Sequence, residues 1–281
     1  MTEIPPTTTL SGLRAHYDVF FIDQFGVLRD GEKAYADAPE ALSQLKQSGA
    51  RIIILSNSGR SGEYNAERLT KIGFARSAYD AFVTSGDVAV SLIENGDVAL
   101  SRRAGTRCFT LSSGRDRNLS DRMGWEPVKQ ADQADIIVIS GSETERISMV
   151  RYGEMLAPAA QRGIPCICTN PDREKLSGGT VLPSAGALAD LYEHLGGEVT
   201  RVGKPYGPIY HHAHGLVGYP DRKHIVCIGD SPDHDIAGAN GYGLASVLSL
   251  TGVSAQRPDQ PDTLLTLNGP TRPNYIMTRF S

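Results

Sequence analysis

The chain has 281 residues, 40% of them hydrophobic and 21% charged, with a formal net charge of -4. That is ordinary globular composition, long enough for two cores or for one core carrying a large insertion. Slight acidity sets nucleic-acid binding aside, and no apolar run reaches membrane-spanning length.

Residues 1–10 are polar and rich in Pro and Thr, so no signal peptide is expected there. Phe20, Phe21 and Ile22 then form an apolar run that reads as a buried strand. It runs straight into Asp23. An unpaired carboxylate is costly inside such a strand, so Asp23 is expected at its end, on the edge of a site. Gly26 follows and lets the backbone turn sharply. An Asp that merely ends a strand in a turn stays open as an alternative.

Asp37 is placed to cap a helix with Pro39 and Glu40 in its first turn, Leu42 and Leu45 on its apolar face, and Gly49 as its stop. Residues 51–55 form a second strand, ending in Ser56, Asn57, Ser58, Gly59 and Arg60. A helix bearing Leu69 and Ile72, closed by Gly73, leads to a strand at 81–84. This strand–helix alternation argues for a parallel sheet covered by helices. With right-handed crossovers, Ser56 and Asn57 can neighbour Asp23. Their small polar groups suit an anion site, although a turn before a helix explains them as well.

A second α/β pattern begins near Gly86, with strands at 106–111, 135–139 and 164–169 and a helix at 146–161. Residues 112–121 read as a loop, and Trp125 and Pro127 as packing. Asn170, Pro171, Asp172 and Arg173 close the last strand, by default as a turn, but also where an inserted domain would contact substrate. A helix at 186–195 and a short strand to Val202 precede Gly203-Lys204-Pro205, which holds a lysine on a stiff turn. His211, His212 and His214 lack metal-site company and read as surface or partly buried histidines. A strand at 224–228 ends in Gly229-Asp230-Ser231-Pro232-Asp233-His234-Asp235. Three carboxylates in one short loop repel unless a cation or donors relieve them; a plain turn rich in Asp, Ser and Pro stays open, but the charge density favours a divalent cation, particularly hard, oxygen-loving magnesium. A strand at 244–250, a Pro-rich loop to Pro273 and a last strand at 275–277 complete the order. Cys108, Cys166, Cys168 and Cys227 sit in apolar runs and read as buried reduced thiols of a cytoplasmic protein.

Together the four strand-end signals resemble the haloacid dehalogenase-like (HAD) hydrolase superfamily, in the class IIA subfamily with a large inserted cap. Asp23 matches its nucleophile, Ser56 its second-motif hydroxyl, Lys204 its third-motif lysine, and Asp230 with Asp235 its acid pair. Gly26-Val27-Leu28, Thr169-Asn170-Pro171-Asp172 and Val202-Gly203-Lys204-Pro205 are worded as in that subfamily, and the resemblance covers nearly the whole chain. It implies an α/β fold: a Rossmann-like parallel-sheet core of 1–85 and 184–281 with an α/β cap at 86–183. The implied activity is that of a magnesium-dependent phosphohydrolase of a small phosphorylated metabolite, similar to sugar-phosphate, nitrophenyl-phosphate and pyridoxal-phosphate phosphatases. Asp23 would carry an aspartyl-phosphate. The resemblance puts Mg2+ at Asp23, the Phe25 carbonyl, Asp230 and Asp235, phosphate at Ser56, Asn57, Ser58 and Lys204, and cap contacts at Asn170 and Asp172. The implied partner is the small phosphorylated substrate, with neither nucleic acid nor membrane; a homo-oligomer is left open. One departure stands out. Most phosphatases of the family carry a second Asp as general acid and base where this chain has Phe25, and Phe can do neither. A carbon–halogen hydrolase, or a catalytically weak phosphometabolite-binding protein, therefore stays open beside the phosphatase.

Overall fold

Five consecutive buried residues make the strand Val19–Asp23, and Ile225–Gly229 repeats the pattern. Continuous burial marks strands covered on both faces of a parallel sheet. In the computed structural model, which describes residues 4–31, 33–177, 180–255 and 267–281, contacts divide the chain into two units. The first comprises 1–56, 62–83 and 204–281. In it Val19–Asp23 lies between Arg51–Ser56 and Ile225–Gly229, with Ile22 in register with Ile54 and Ile228. Ala81–Thr84 extends one side of this parallel sheet; Ala245–Ser249 and Tyr275–Met277 extend the other. The chain leaves the first strand on one side and returns on its other side. The carboxyl ends of Val19–Asp23 and Ile225–Gly229 therefore flank the topological switch point, where open α/β sheets bind ligands.

Helices Ala38–Gln47 and Gly62–Lys71 turn Leu42, Leu45 and Leu69 onto Phe20, Ile22, Ile52 and Ile54. The expected Asp37 side-chain cap is not made. Asp37 has φ 68°, and this left-handed backbone goes with no bond from its carboxylate to the helix N–H groups. The helix start relies instead on Pro39 in the first turn and on the Asp37 carbonyl, which accepts from Ala41 N at 2.8 Å.

The second unit comprises 57–61 and 84–203. Its parallel sheet has the spatial order Val199–Arg201, Cys166–Cys168, Ile136–Ile139, Arg107–Leu111, Glu126–Pro127. Helices Met149–Gln161 and Ala185–His194 bury Leu156, Leu188 and Tyr192 with Ile137, Ile139 and Cys166. Here the sequence reading and the structure differ at four places. Residues 57–61 and 184–203, expected with the core, belong to this second unit: the apolar face of Ala185–His194 is taken by its core, and Tyr192 Oη donates to the Ile164 carbonyl at 2.7 Å. A helix at Ser85–Asn95, absent from the reading, starts where Thr84 Oγ1 accepts from Asp87 N at 3.1 Å. The loop expected at 112–121 ends in a short helix, Asn118–Arg122. A hairpin, Glu174–Ser177 with Thr180–Pro183, follows the turn at Asn170. All four cysteines are buried and free, and no described helix is long and apolar enough to cross a membrane. The Pro-rich stretch at 256–266 lies outside the described residues.

Asp80 joins two elements of the first unit. Its carboxylate accepts from Lys46 Nζ at 2.7 Å, at the end of Ala38–Gln47, and from Ile52 N at 2.7 Å, on the strand. Burial alone would raise its pKa; the Lys46 hydrogen bond and the Ile52 N–H outweigh this and lower it. A lowered folded pKa gives stability that is present above the unfolded value and lost as pH falls through the folded one. Asp80→Ala is expected to cost about 1 kcal/mol in urea unfolding at pH 7, with the pair half-exposed and screened. The parent–variant difference should shrink as pH drops through the carboxylate range. An unchanged urea midpoint at pH 7 would show that this tie carries nothing.

Candidate active site

Asp23 ends its strand at the switch point and is buried, 8% exposed. Gly26, at φ 83°, then takes the chain away. Ser56 ends the neighbouring strand and is buried too, with Asp23 in register with Leu55. On the other side, Ile225–Gly229 delivers Asp230. One π-helical turn, Pro232–Ile236, follows and brings Asp235 back, while Asp233 points out to solvent. Single π turns recur at functional sites because they re-aim side chains. The close return requires Gly229: a Cβ there would sit 2.1 Å from Asp235 Cβ. Of the three carboxylates in this loop, Asp230 and Asp235 meet Asp23 from the first strand, and Asp233 does not. Oxygens of Asp23, Asp230 and Asp235 lie within 4.8 Å of one another.

Lys204 enters this cluster and is buried, 4% exposed. Its Nζ donates to Asp23 Oδ1 and, at 2.6 Å, to Asp235 Oδ1. Asp235 Oδ2 accepts from Ser231 N at 3.1 Å, so both its oxygens are engaged. Burial alone would lower the Lys204 pKa, but Asp23 and Asp235 outweigh it and raise it, so the ammonium stays charged. Burial pushes the Asp23 carboxyl up; Lys204 pulls it down, and Asp235 and Asp230 push it up again. Burial and then Asp235 push Asp230 up to about 7. When all are ionised, three carboxylates and one ammonium leave two negative charges unmatched. An all-oxygen donor set with that surplus fits a small divalent cation such as magnesium.

Phe25 is half-exposed, with the Arg29 guanidinium 4.8 Å from its ring centroid. The Gly26 N–H of the Phe25–Gly26 peptide donates to the Arg29 carbonyl at 2.9 Å, which holds that peptide plane and with it the Phe25 carbonyl.

The remaining candidates lie in the second unit. Asn57 Nδ2 donates to Asp172 Oδ1 at 2.7 Å, and Asp172 N donates to Asn170 Oδ1 at 3.2 Å. Gly203 closes on the same group, since a Cβ there would lie 2.7 Å from Asn57 Oδ1. The Ser58 carbonyl accepts from Ser85 Oγ at 3.2 Å and Gly86 N at 3.1 Å. The histidines are engaged elsewhere: His214 Nε2 donates to the Pro220 carbonyl at 2.7 Å, and His211 lies 3.1 Å from the Tyr219 hydroxyl. Sequence reasoning missed Thr251, Gly252, Val253 and Ser254, which meet Asp230 and Gly26. Their signal was available: small polar residues and a glycine directly after a strand end, as at Ser56-Asn57.

Comparison with known proteins gives the family. The family described as haloacid dehalogenase-like hydrolase matches residues 20–126, and a second, described as HAD-hydrolase-like, matches 201–280. A haloacid dehalogenase-like hydrolase from Brucella suis 1330 is 32% identical, with a TM-score of 0.82 over 98% of this chain and 99% of that one. The D-glycerol 3-phosphate phosphatase of Mycobacterium tuberculosis is 27% identical over 88% of this chain, which spans 66% of that relative's length. A glycerol phosphate phosphatase from the same organism, solved in complex with magnesium, shares the fold at 24% identity and a TM-score of 0.72, over 95% of this chain and 77% of that one.

Removing the Lys204 ammonium from the acidic cluster should expose the charge imbalance. Lys204→Met is expected to destabilise the metal-free protein by about 3 kcal/mol, since it leaves buried carboxylates uncompensated. Urea unfolding in EDTA measures this. A loss indistinguishable from zero would mean that the carboxylates are already neutral in the parent.

Proposed function

The chain belongs to the haloacid dehalogenase-like hydrolases, of the class IIA type, and on that premise we propose that it is a magnesium-dependent phosphatase of a small phosphorylated metabolite, of the glycerol phosphate or sugar phosphate class. The observation that carries the reading is the buried cluster of Asp23, Asp230, Asp235 and Lys204, with two more negative charges than positive when ionised. A hydrolase that attacks carbon–halogen bonds with Asp23 alone has no use for that surplus.

In this reading Asp23 attacks phosphorus, the bond to the leaving oxygen breaks, and an aspartyl-phosphate forms that water then hydrolyses. Lys204 holds one Asp23 oxygen and favours the ionised carboxylate that attacks, against the burial that pushes Asp23 toward its neutral form. Ser56 and Lys204 bind non-bridging oxygens, and Asn57 and Ser58, next in the chain, extend that set. Asn170 and Asp172, expected as substrate contacts, have polar atoms engaged with each other and with Asn57, which supports a role in holding Asn57. Magnesium would be held by Asp23, the Phe25 carbonyl and Asp230, with Asp235 behind them. When bound it supplies positive charge that offsets repulsion between nucleophile and phosphate. Residues 84–203 would serve as the cap that selects the substrate. Four buried free thiols support a reducing, cytoplasmic setting.

Two variants test the chemistry. Asp23→Asn, checked for deamidation, is expected to abolish phosphate release while urea unfolding stays parental; near-parental turnover would sink the nucleophile assignment. Phe25 leaves the alkoxide leaving group without a positioned acid, a loss of roughly a hundred- to ten-thousand-fold where such an acid normally acts. Single-turnover rates should therefore be slow on alkyl phosphates and much less impaired on nitrophenyl phosphate, whose leaving group departs unprotonated. Phe25→Asp should speed the alkyl substrates selectively. The rescue is expected to be partial, because the new carboxyl would lie beside Arg29 and be held ionised. Similar parental rate constants on both classes would mean that another group supplies the proton.

A further inference from the structure

The mechanism above gives no role to the turn that follows the strand Ala245–Ser249, yet that turn meets Asp230 and Gly26 at several points. The strand pairs with Ile225–Gly229, with Leu248 opposite Gly229, so its end emerges next to Asp230. Val253 N donates to Asp230 Oδ2 at 2.6 Å, and Ser254 Oγ donates to the Asp230 carbonyl at 2.6 Å. Thr251 Oγ1 donates to the Gly26 carbonyl, and its oxygen lies 2.6 Å from Ser249 Oγ, which is left as the donor to it.

The glycines show how tight the fit is. A Cβ on Gly252, at φ 57°, would lie 2.0 Å from Asp230 Oδ2 and 2.4 Å from Gly26 Cα. A Cβ on Gly26, at φ 83°, would also lie 2.0 Å from Asp230 Oδ2. The Asp230 carboxylate is thus clamped between two bare backbones. One backbone belongs to the loop that presents Asp23 and the Phe25 carbonyl; the other belongs to the turn. The Thr251 hydroxyl is the bond that joins them.

We propose that Thr251 is a positioning residue for the metal site: by tying the turn to the Gly26 carbonyl, it sets Asp230 in register with Asp23 and the Phe25 carbonyl. This rests on the magnesium-phosphatase reading. Without the bond, the turn and the Asp23 loop are free to shift against each other, and Asp230 moves with the turn through Val253 N. The three oxygen donors come from two strand ends and one loop, so their spacing has to be set by a contact of this kind. Small cations of fixed geometry penalise misplaced donors strongly. Outer contacts that orient metal ligands typically account for about 10- to 100-fold in affinity.

The test uses the full chain and Mn2+ alone as the probe, with free ion counted by electron paramagnetic resonance. Thr251→Val keeps the shape and removes the donor; Thr251→Ser restores the hydroxyl. The expected result is Mn2+ binding about tenfold weaker in Thr251→Val and nearly parental in Thr251→Ser, at the scale of an orienting contact. The EDTA melting temperatures of all three should coincide, and at saturating metal the KM for nitrophenyl phosphate should be unchanged. Ser254→Ala, which frees the Asp230 carbonyl, decides the matter if Thr251→Val does not fold. It should weaken Mn2+ in the same direction. If the parent binds Mn2+ and the variants bind it equally well, the positioning role is overturned and the magnesium reading stands. If the parent binds no Mn2+, both fall together. Weaker binding that tracks a lowered EDTA melting temperature equally in Thr251→Val and Thr251→Ser would reduce Thr251 to a structural residue and also overturn the proposal.

Discussion

Everything in the site follows from the cost of holding Asp23, Asp230 and Asp235 together out of water. Carboxylates this close repel, and burial pushes Asp23 and Asp230 toward their neutral forms. Lys204 meets two of them directly and offsets one charge. The remainder calls for a cation or for protons, and that need is the physical content of the metal-site assignment. In the proposed function, the same surplus would admit a phosphate only when positive charge is added, which would couple metal and substrate binding through one electrostatic balance.

The fold reaches this arrangement with main-chain geometry. A doubly covered parallel sheet puts strand ends side by side at its switch point, and the first strand and its neighbour Ile225–Gly229 deliver one acid each. A single π turn then folds Asp235 back over Gly229, where only a glycine leaves room. Gly26 and Gly252 do the same for Asp230. Close approach of backbone to carboxylate recurs at each acid that the loops supply, and the absence of a side chain is what permits it.

Phe25 marks a division of labour within this frame. Its carbonyl is held by the peptide's hydrogen bond to Arg29, independently of the side chain, whereas the side chain is a half-exposed ring beneath a guanidinium. A metal contact through the carbonyl is therefore compatible with any residue at 25; proton transfer is not. In the proposed mechanism, the side chain at 25 would thus bear on leaving-group chemistry alone, apart from ground-state binding.

The strand pattern, the acids at strand ends and the lysine on its Gly-Pro turn were legible in the sequence, because burial on both faces forces continuous apolar runs and polar residues then punctuate their ends. The family resemblance followed from four such ends in order. Local pattern could not show that helix 185–194 sits with the second sheet, since an apolar helical face is the same whichever core receives it. Nor could it show that Thr251 and Gly252 close on Asp230; the grouping of Asp23 with Asp230 and Asp235 came from the resemblance and not from local pattern. Asp37 made the opposite error, a capping pattern defeated by a left-handed backbone. What a residue can do is written in its own chemistry and its immediate neighbours. Which partner it meets depends on contacts between strands far apart in the chain, and these exist only once the sheet order and register are set.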